Sequence, residues 1–338
     1  KYENFKQKKL KLNMSRGKPC SEQLDLSSGL LESLNRNYQA EDGTDCRNYG
    51  GLGGLPEARR LFAELLEVQP DEIIVHGNSS LALMHDLITR ALIFGVDGQE
   101  APWGQQPIKF LCPSPGYDRH FAICEFYNIE MITIPIREDG PDMDLVEKLV
   151  ATDETIKGIW CIPKYSNPTG VTYSDQVVTR LARMKTKAPD FRIFWDNAYA
   201  WHDLSSDPVP LKNILTACKE ANHPDRVYIF SSTSKITYAG AGLAMVASSV
   251  PNINRLKKQM GIQTIGPNKL NQLAHIRFFK NAQNVRLHMK KHAAVLRPKF
   301  DLVLNLLETE LGGKKIASWS RPQGGYFISF NTLPGCAK

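Results

Sequence analysis

Residues 227–235 read VYIFSSTSK: a short apolar run, then Ser231, Ser232, Thr233 and Ser234, and then Lys235. Continuous runs of β-branched and aromatic residues of this length read as strands buried on both faces, the kind found in parallel sheets. A lysine leaving such a strand among four small hydroxyl residues is poorly explained as a surface lysine. An amine must be unprotonated to attack a carbonyl, and a crowded, partly desolvated position favours that form. Small residues and hydroxyl donors beside one amine suit an imine with a phosphorylated aldehyde. Taken alone, the motif does not decide between that chemistry and a plain strand end.

Working outward, similar runs occur at 72–76 (EIIVH), 108–112 (IKFLC), 130–134 (EMITI), 156–162 (IKGIWCI), 191–195 (FRIFW) and 243–247 (LAMVA). Between them, helical periodicity falls at 79–94, 118–127, 143–150, 174–187 and 267–280. Strands alternating with helices predict an α/β fold, with a mostly parallel seven-stranded sheet sandwiched by helices. In such sheets ligands sit beyond the carboxyl ends of the strands. From residue 284 a long charged helix runs to 310 and stops at Gly312 and Gly313, a helix-end signal. Two short strands follow at 315–320 and 325–330. They are expected to begin a smaller α+β C-terminal domain that the chain, ending at Lys338, leaves incomplete. The expected division is an N-terminal arm with part of the small domain (1–45), a large cofactor-binding domain (46–283) and the start of the small domain (284–338).

The informative residues follow strands. Asp196 and Tyr199 lie in WDNAY after FRIFW; a carboxylate there needs a cationic partner, which a protonated pyridine nitrogen would supply, although a helix-capping Asp explains it equally well. Asn167 lies in YSNPTG after IKGIWCI, a turn sequence in its own right. Asn78, Ser79 and Ser80 follow EIIVH and open a helix, where amides at the positive end form a seat for phosphate or simply an N-cap. Tyr117, in PSPGY after IKFLC, offers an aromatic face for a flat ring.

In this order (glycine–serine loop, aromatic, NPTG, D-x-x-Y, S-x-S-K) the sequence resembles the class I/II aminotransferases, enzymes of the fold type I pyridoxal-phosphate class. It is most similar to a divergent bacterial aspartate-aminotransferase-like group, through LNMSRGKP, NYGGLGGLPEARRLF, CPSPGYDRHFAI and SSTSKITYAGAG. The resemblance covers the chain from Leu12 to Lys338. It implies pyridoxal 5'-phosphate as cofactor, held as a Schiff base on Lys235, with Lys235 also moving the substrate's α-proton. It implies that Asp196 pairs with the ring nitrogen, that Asn167 and Tyr199 bond the phenolic oxygen, and that Tyr117 stacks on the ring. Asn78, Ser79, Ser80 and Ser232 would hold the phosphate, joined by Tyr49 from the partner subunit of a homodimer with shared active sites. Gly17 would lie over the substrate, beside Asn167, and Arg16 is a candidate for a side-chain carboxylate, although a surface arginine in a basic arm is an equal reading. The implied reaction moves an amino group between an amino acid, aspartate or glutamate, and a 2-oxo acid by a ping-pong mechanism.

Two departures accompany this. Most of the family carries a phosphate-gripping arginine eight residues after the lysine, where this chain has Leu243. Serine hydroxyls and backbone amides are the expected substitutes, with Thr237 a weaker one. The arginine that clamps the α-carboxylate lies beyond the GGYF segment, past Lys338; Arg321 comes too early to serve.

The remaining signals are bland. The formal charge is +7, from 42 basic and 35 acidic residues among 338, with no nucleic-acid reading motif. Seven scattered cysteines without C-x-x-C read as reduced thiols in a cytoplasmic protein, and no apolar run reaches the ~18 residues that span a bilayer. His288 and His292, among Arg286, Lys290 and Lys291, read as a solvated basic face and not as a metal pair; no metal is expected. The glycines at 50–54 do not follow a strand as a dinucleotide loop would, and His202 with Asp203 lacks a nucleophile elbow. The alternatives are another reaction on the same fold, a β-lyase or a cyclopropane-carboxylate-synthase-like enzyme, which PGYDRH resembles, or a cofactor-binding effector domain of a transcriptional regulator.

Overall fold

The computed structural model describes residues 2–11, 17–96 and 101–336. Its centre is an eight-stranded sheet in the order β1-β8-β7-β6-β5-β2-β3-β4. The strands are β1 (Ile73–Val75), β2 (Lys109–Ser114), β3 (Glu130–Arg137), β4 (Gly140–Pro141), β5 (Ile156–Cys161), β6 (Arg192–Asp196), β7 (Val227–Ser232) and β8 (Ala244–Ala247). The seven expected strands are all present. The eighth, β4, is a two-residue edge piece antiparallel to β3, too short to leave a pattern in the sequence.

Strands β7, β6, β5, β2 and β3 are parallel. Strand β8 reverses against β7, and β1 reverses against β8. Two reversals restore the direction, so β1 runs with β7. The loops after β1, β2, β5, β6 and β7 therefore emerge at one edge of the sheet.

Strand alternation builds two cores. On β7, Val227 and Ile229 face a core shared with α3 (Pro56–Leu66), α6 (Met143–Val150), α7 (Asp175–Arg183), α8 (Ile214–Glu220) and α10 (Lys269–Phe279). Tyr228 and Phe230 face the opposite core, with α4 (Ser80–Phe94), α5 (Asp118–Phe126) and α9 (Val250–Gln263). The central strands β5, β6, β7 and β8 are covered on both sides, which is why they are mostly apolar. Two short helices, α1 (Tyr2–Gln7) and α2 (Ser21–Asp25), precede these elements.

Helix α11 (Ala282–Leu311) matches the long charged helix. One face of its first half is buried, while Leu302, Val303 and Leu306 further along are exposed. Here one expectation is corrected. His288 and His292 are buried, at 5% and 1% exposure, because they share a helix face with Val285 and Met289 while their charged neighbours lie on the other side. A second correction concerns the terminal strands. Strand β9 (Ala317–Trp319) pairs with β10 (Phe330–Thr332), and the GGYF segment instead crosses against the large sheet's loops. A Cβ on Gly324 would stand 2.3 Å from the Tyr165 ring and 2.4 Å from the His202 carbonyl, so tertiary packing overrides the strand-like pattern.

All seven cysteines are free thiols. Among the described residues no helix is long and apolar enough to cross a membrane.

Candidate active site

The sheet edge where the five loops converge holds a cavity of about 550 Å³. Ser79, Ser80, Tyr117, Asn167, Asp196, Tyr199, Ser232 and Lys235 all line it, joined by Gly17. The structure thus brings together residues up to 218 positions apart (17 to 235) that the sequence offered only as separate strand ends. A larger cavity, about 1260 Å³, lies on the opposite side of β6 and is lined by Trp195 and Asn197. Asp196, between them, faces the smaller one, together with Lys235 and Tyr199.

Each residue is delivered by its local structure. Asp196 is the last residue of β6 and is 3% exposed. Its Oδ2 accepts a hydrogen bond from His120 Nε2 at 3.1 Å. Its Oδ1 is buried and has no hydrogen-bond partner among the described residues. A buried carboxylate oxygen left bare is costly unless a donor arrives. Asn167 sits in a loop closed by Ser166 N–H on the Val171 carbonyl (2.8 Å) and Gly170 N–H on the Ser166 carbonyl (2.7 Å). Gly170 turns that loop at φ +79°, a conformation glycine adopts without steric cost. Ser79 caps α4, its hydroxyl accepting from Ala82 N–H at 3.3 Å, so the positive end of a 15-residue helix opens on the cavity.

Lys235 Nζ lies over the Tyr199 ring, 5.0 Å from its centroid. Crowding around the amine disfavours its charged form and lowers its pKa, an effect opposed by the Asp196 carboxylate. Burial, and then the Asp196 charge, push the Tyr199 phenol well above its ordinary value, so it stays protonated and able to donate. His202 is buried beside Tyr199, with ring centroids 5.6 Å apart. Burial foremost, then the charge on Lys235, bring its pKa down to about 3.

Some expected residues are elsewhere. Asn78 does not line the cavity; its Nδ2 donates to the Gly240 carbonyl at 3.3 Å. Tyr49 is 80% exposed, away from this chain's own cavity. Arg16 lies outside the described residues. Leu243 is 1% exposed in the core. Thr237 is fully buried and bonded to Thr233 and His275, which removes it as a donor into the cavity. Gly17 packs so closely that a Cβ would lie 2.9 Å from the Phe327 ring.

The sequence reading missed His120 and Ser234. His120 is stacked on Trp160, with centroids 4.5 Å apart and planes 12° apart, and edge-on to Tyr117. The signal was its spacing: three residues after Tyr117, on the same face of the helix that opens there. Ser234 lines the cavity from the turn that follows β7, two residues after Ser232. Among the described residues no three His, Cys, Asp or Glu side chains come together as metal ligands.

The family model "Aspartate amino-transferase" matches residues 1–338. The chain belongs to the aspartate amino-transferase family. It is an enzyme of the aminotransferase class. A Mycolicibacterium smegmatis relative is 51% identical over all of this chain and 80% of its own length. An aspartate aminotransferase of Corynebacterium glutamicum is 47% identical over all of this chain and 78% of its own length. The crystal structure of an aspartate transaminase from that organism covers 99% of this chain and 79% of its own, with a TM-score of 0.95. The fold extends to the α-aminoadipate aminotransferase LysN of Thermus thermophilus, solved with N-(5'-phosphopyridoxyl)-L-leucine. That structure is 21% identical, covers 95% of this chain and 76% of its own, and has a TM-score of 0.75.

Proposed function

We propose that this protein is a pyridoxal-phosphate-dependent aminotransferase that moves an amino group between aspartate or glutamate and a 2-oxo acid. The observation that carries the reading is the pairing, in one cavity, of Lys235 with a buried carboxylate whose Oδ1 lacks a partner. The residues fit the cofactor. A protonated pyridine nitrogen is the donor that Asp196 Oδ1 lacks, Tyr117 offers a ring face, and Asn167 and Tyr199 offer donors for a phenolate oxygen. Ser79, Ser80, Ser232 and the α4 amides offer donors for a phosphate, with Tyr49 of a second copy reaching the same group.

The bound cofactor supplies an electron sink for the bond broken at the substrate's α-carbon. The chain's residues do the rest. Lys235 would carry the cofactor, and its amine, freed when substrate takes its place and held toward neutrality by crowding, would accept the α-proton and deliver it to the cofactor's side of the imine. Asp196 holds the proton on the ring nitrogen, and His120 fixes the carboxylate's orientation. Gly17 and Phe327 pack against each other in the cavity wall.

The protein acts as a homodimer in this reading. Tyr49, Ile262 and Ile265, at 80%, 91% and 64% exposure, are large apolar groups in open surface, as a subunit contact requires. The proposed domains are 1–45, 46–283 and 284–338. The bond from Gln23 Nε2 to His292 Nδ1, 3.1 Å, supports joining the first to the third. The seven free thiols support a reducing cytoplasmic setting.

The test is to mix the purified protein with aspartate, 2-oxoglutarate and cofactor and to measure glutamate. Glutamate formed in step with loss of aspartate is the expected result. Pyruvate and ammonia from an amino acid alone would replace this reading with a lyase, and no turnover of any amino donor would overturn it.

A further inference from the structure

The chain leaving β7 serves two sides at once. Ser232 and Ser234 line the cavity, whereas Ser231 donates to the Asn197 carbonyl at 3.1 Å and Thr233 is fully buried. Strand β7 ends at Ser232, and the turn that follows, closed by Ile236 N–H on the Thr233 carbonyl at 2.9 Å, divides the residues between the two sides. On the cavity side Ser232 Oγ donates to Ser234 Oγ at 3.0 Å, and Ser234 Oγ to the Asn78 carbonyl at 3.3 Å.

On the buried side stands a second set of bonds. Thr233 N–H donates to the Leu243 carbonyl, and Leu243 N–H donates to Thr233 Oγ1, both at 2.8 Å. Thr233 Oγ1 lies 3.0 Å from Thr237 Oγ1, which lies 3.0 Å from His275 Nε2. His275 Nδ1 is 2.8 Å from the Asn271 carbonyl. A carbonyl only accepts, so Nδ1 carries the proton and Nε2 accepts. One arrangement then satisfies every group: Leu243 N–H to Thr233, Thr233 to Thr237, Thr237 to His275, His275 to Asn271. Burial keeps the imidazole neutral, with its pKa brought down to about 4.

The need for such a device follows from charge. Among the described residues lining the cavity, Lys235 is the single cation, and Leu243 contributes only backbone. A doubly charged phosphate would then be held by neutral donors. Attraction to a cation tolerates tilt, but a hydrogen bond weakens steeply with angle. A neutral seat works only if its hydroxyls are held in place.

We propose that Thr233, Thr237 and His275 are positioning residues of the phosphate seat. They form a neutral buried relay that holds the turn at residues 232–235 so that the Ser232 and Ser234 hydroxyls meet the cofactor's phosphate. The inference rests on the pyridoxal-phosphate reading above.

The experiment strips the cofactor from the full-length protein and titrates it, by absorbance, with pyridoxal phosphate and separately with pyridoxal, which lacks the phosphate. Thr233→Val keeps the shape and removes the hydroxyl. It should weaken pyridoxal phosphate about tenfold while pyridoxal changes less than about twofold, and Thr233→Ser should restore binding. Thr237→Val should lose less, about threefold, because Thr233 Oγ1 already lies 3.3 Å from His275 Nε2 and can bond it directly. If Thr233→Val yields no folded protein, Thr237→Val carries the test by the same selectivity. Equal losses for both compounds, no loss for either, or failure of Thr233→Ser to rescue overturns the relay. A wild-type chain that takes up neither compound overturns the proposed function, and the relay with it. A wild type that takes up pyridoxal phosphate normally, with Thr233→Val indistinguishable from it, overturns the relay alone.

Discussion

His120 Nε2 and Asp196 Oδ2 lie 3.1 Å apart, with both side chains almost wholly removed from solvent. The imidazole is clamped between Trp160 beneath and Tyr117 at its edge, so the carboxylate it bonds has one orientation and turns its other oxygen to the cavity. His120→Phe preserves the stacking and deletes the donor. Losing one such bond at the reacting centre is worth about tenfold in rate, and the variant should show that loss in kcat/KM together with a displaced visible absorbance band.

Lys235→Ala removes the amine from the cavity and leaves its walls intact. The purified variant should stay colourless after incubation with cofactor and desalting, and its transamination rate should fall by more than about a hundredfold. In the wild type, uptake of cofactor by the stripped protein should slow as pH falls, since protonation consumes the amine form that crowding favours.

A buried charge pair far from the site offers a stability test. Lys157 Nζ is 2.7 Å from Asp190 Oδ1, and Trp103 Nε1 donates to Asp190 Oδ2 at 2.8 Å. Asp190→Ala strands the lysine at 9% exposure and should cost about 3–5 kcal/mol in urea unfolding.

Gly158 occupies the middle of the sheet, where a Cβ would stand 2.4 Å from the Phe110 ring. Overpacking of this kind costs about 1–3 kcal/mol, so Gly158→Ala should lower the urea midpoint without changing the cofactor band.

The buried histidines set the acid limb of stability. Burial holds His275 and His292 near pKa 4 and His202 near 3, against an ordinary 6.5. Between pH 6.5 and about 4 the unfolded chain binds protons that the folded chain refuses, so stability falls as pH falls through that window. Thermal melting should show this decline, and His292→Gln should make it shallower.

Much of this was legible in the sequence for a physical reason. Strands buried on both faces are mostly apolar runs with few polar residues to blur them, and a parallel sheet puts its chemistry directly after them, so Asp196, Asn167 and Lys235 stood where a reader would look. Relations across the fold were hidden. Nothing in the sequence says that the GGYF segment packs on Tyr165 and His202, or that Asn78 turns to Gly240. The burial of His288 and His292 was readable in principle, since the spacing 285, 288, 289, 292 marks one helix face, but the lysines and arginines between them masked it. The relay behind Thr233 joins positions 233, 237, 243 and 275, a set that only folding brings together.

The tight turn that follows β7 directly limits how this segment can change over evolutionary time. A single inserted or deleted residue would shift the turn at 233–236 against the end of β7 and carry Ser234 and Lys235 away from the cavity they line. Substitution for substitution, each side can drift separately, hydroxyl for hydroxyl or bulk for bulk. The length cannot drift at all, so descendants of this chain should vary here in letters and never in count.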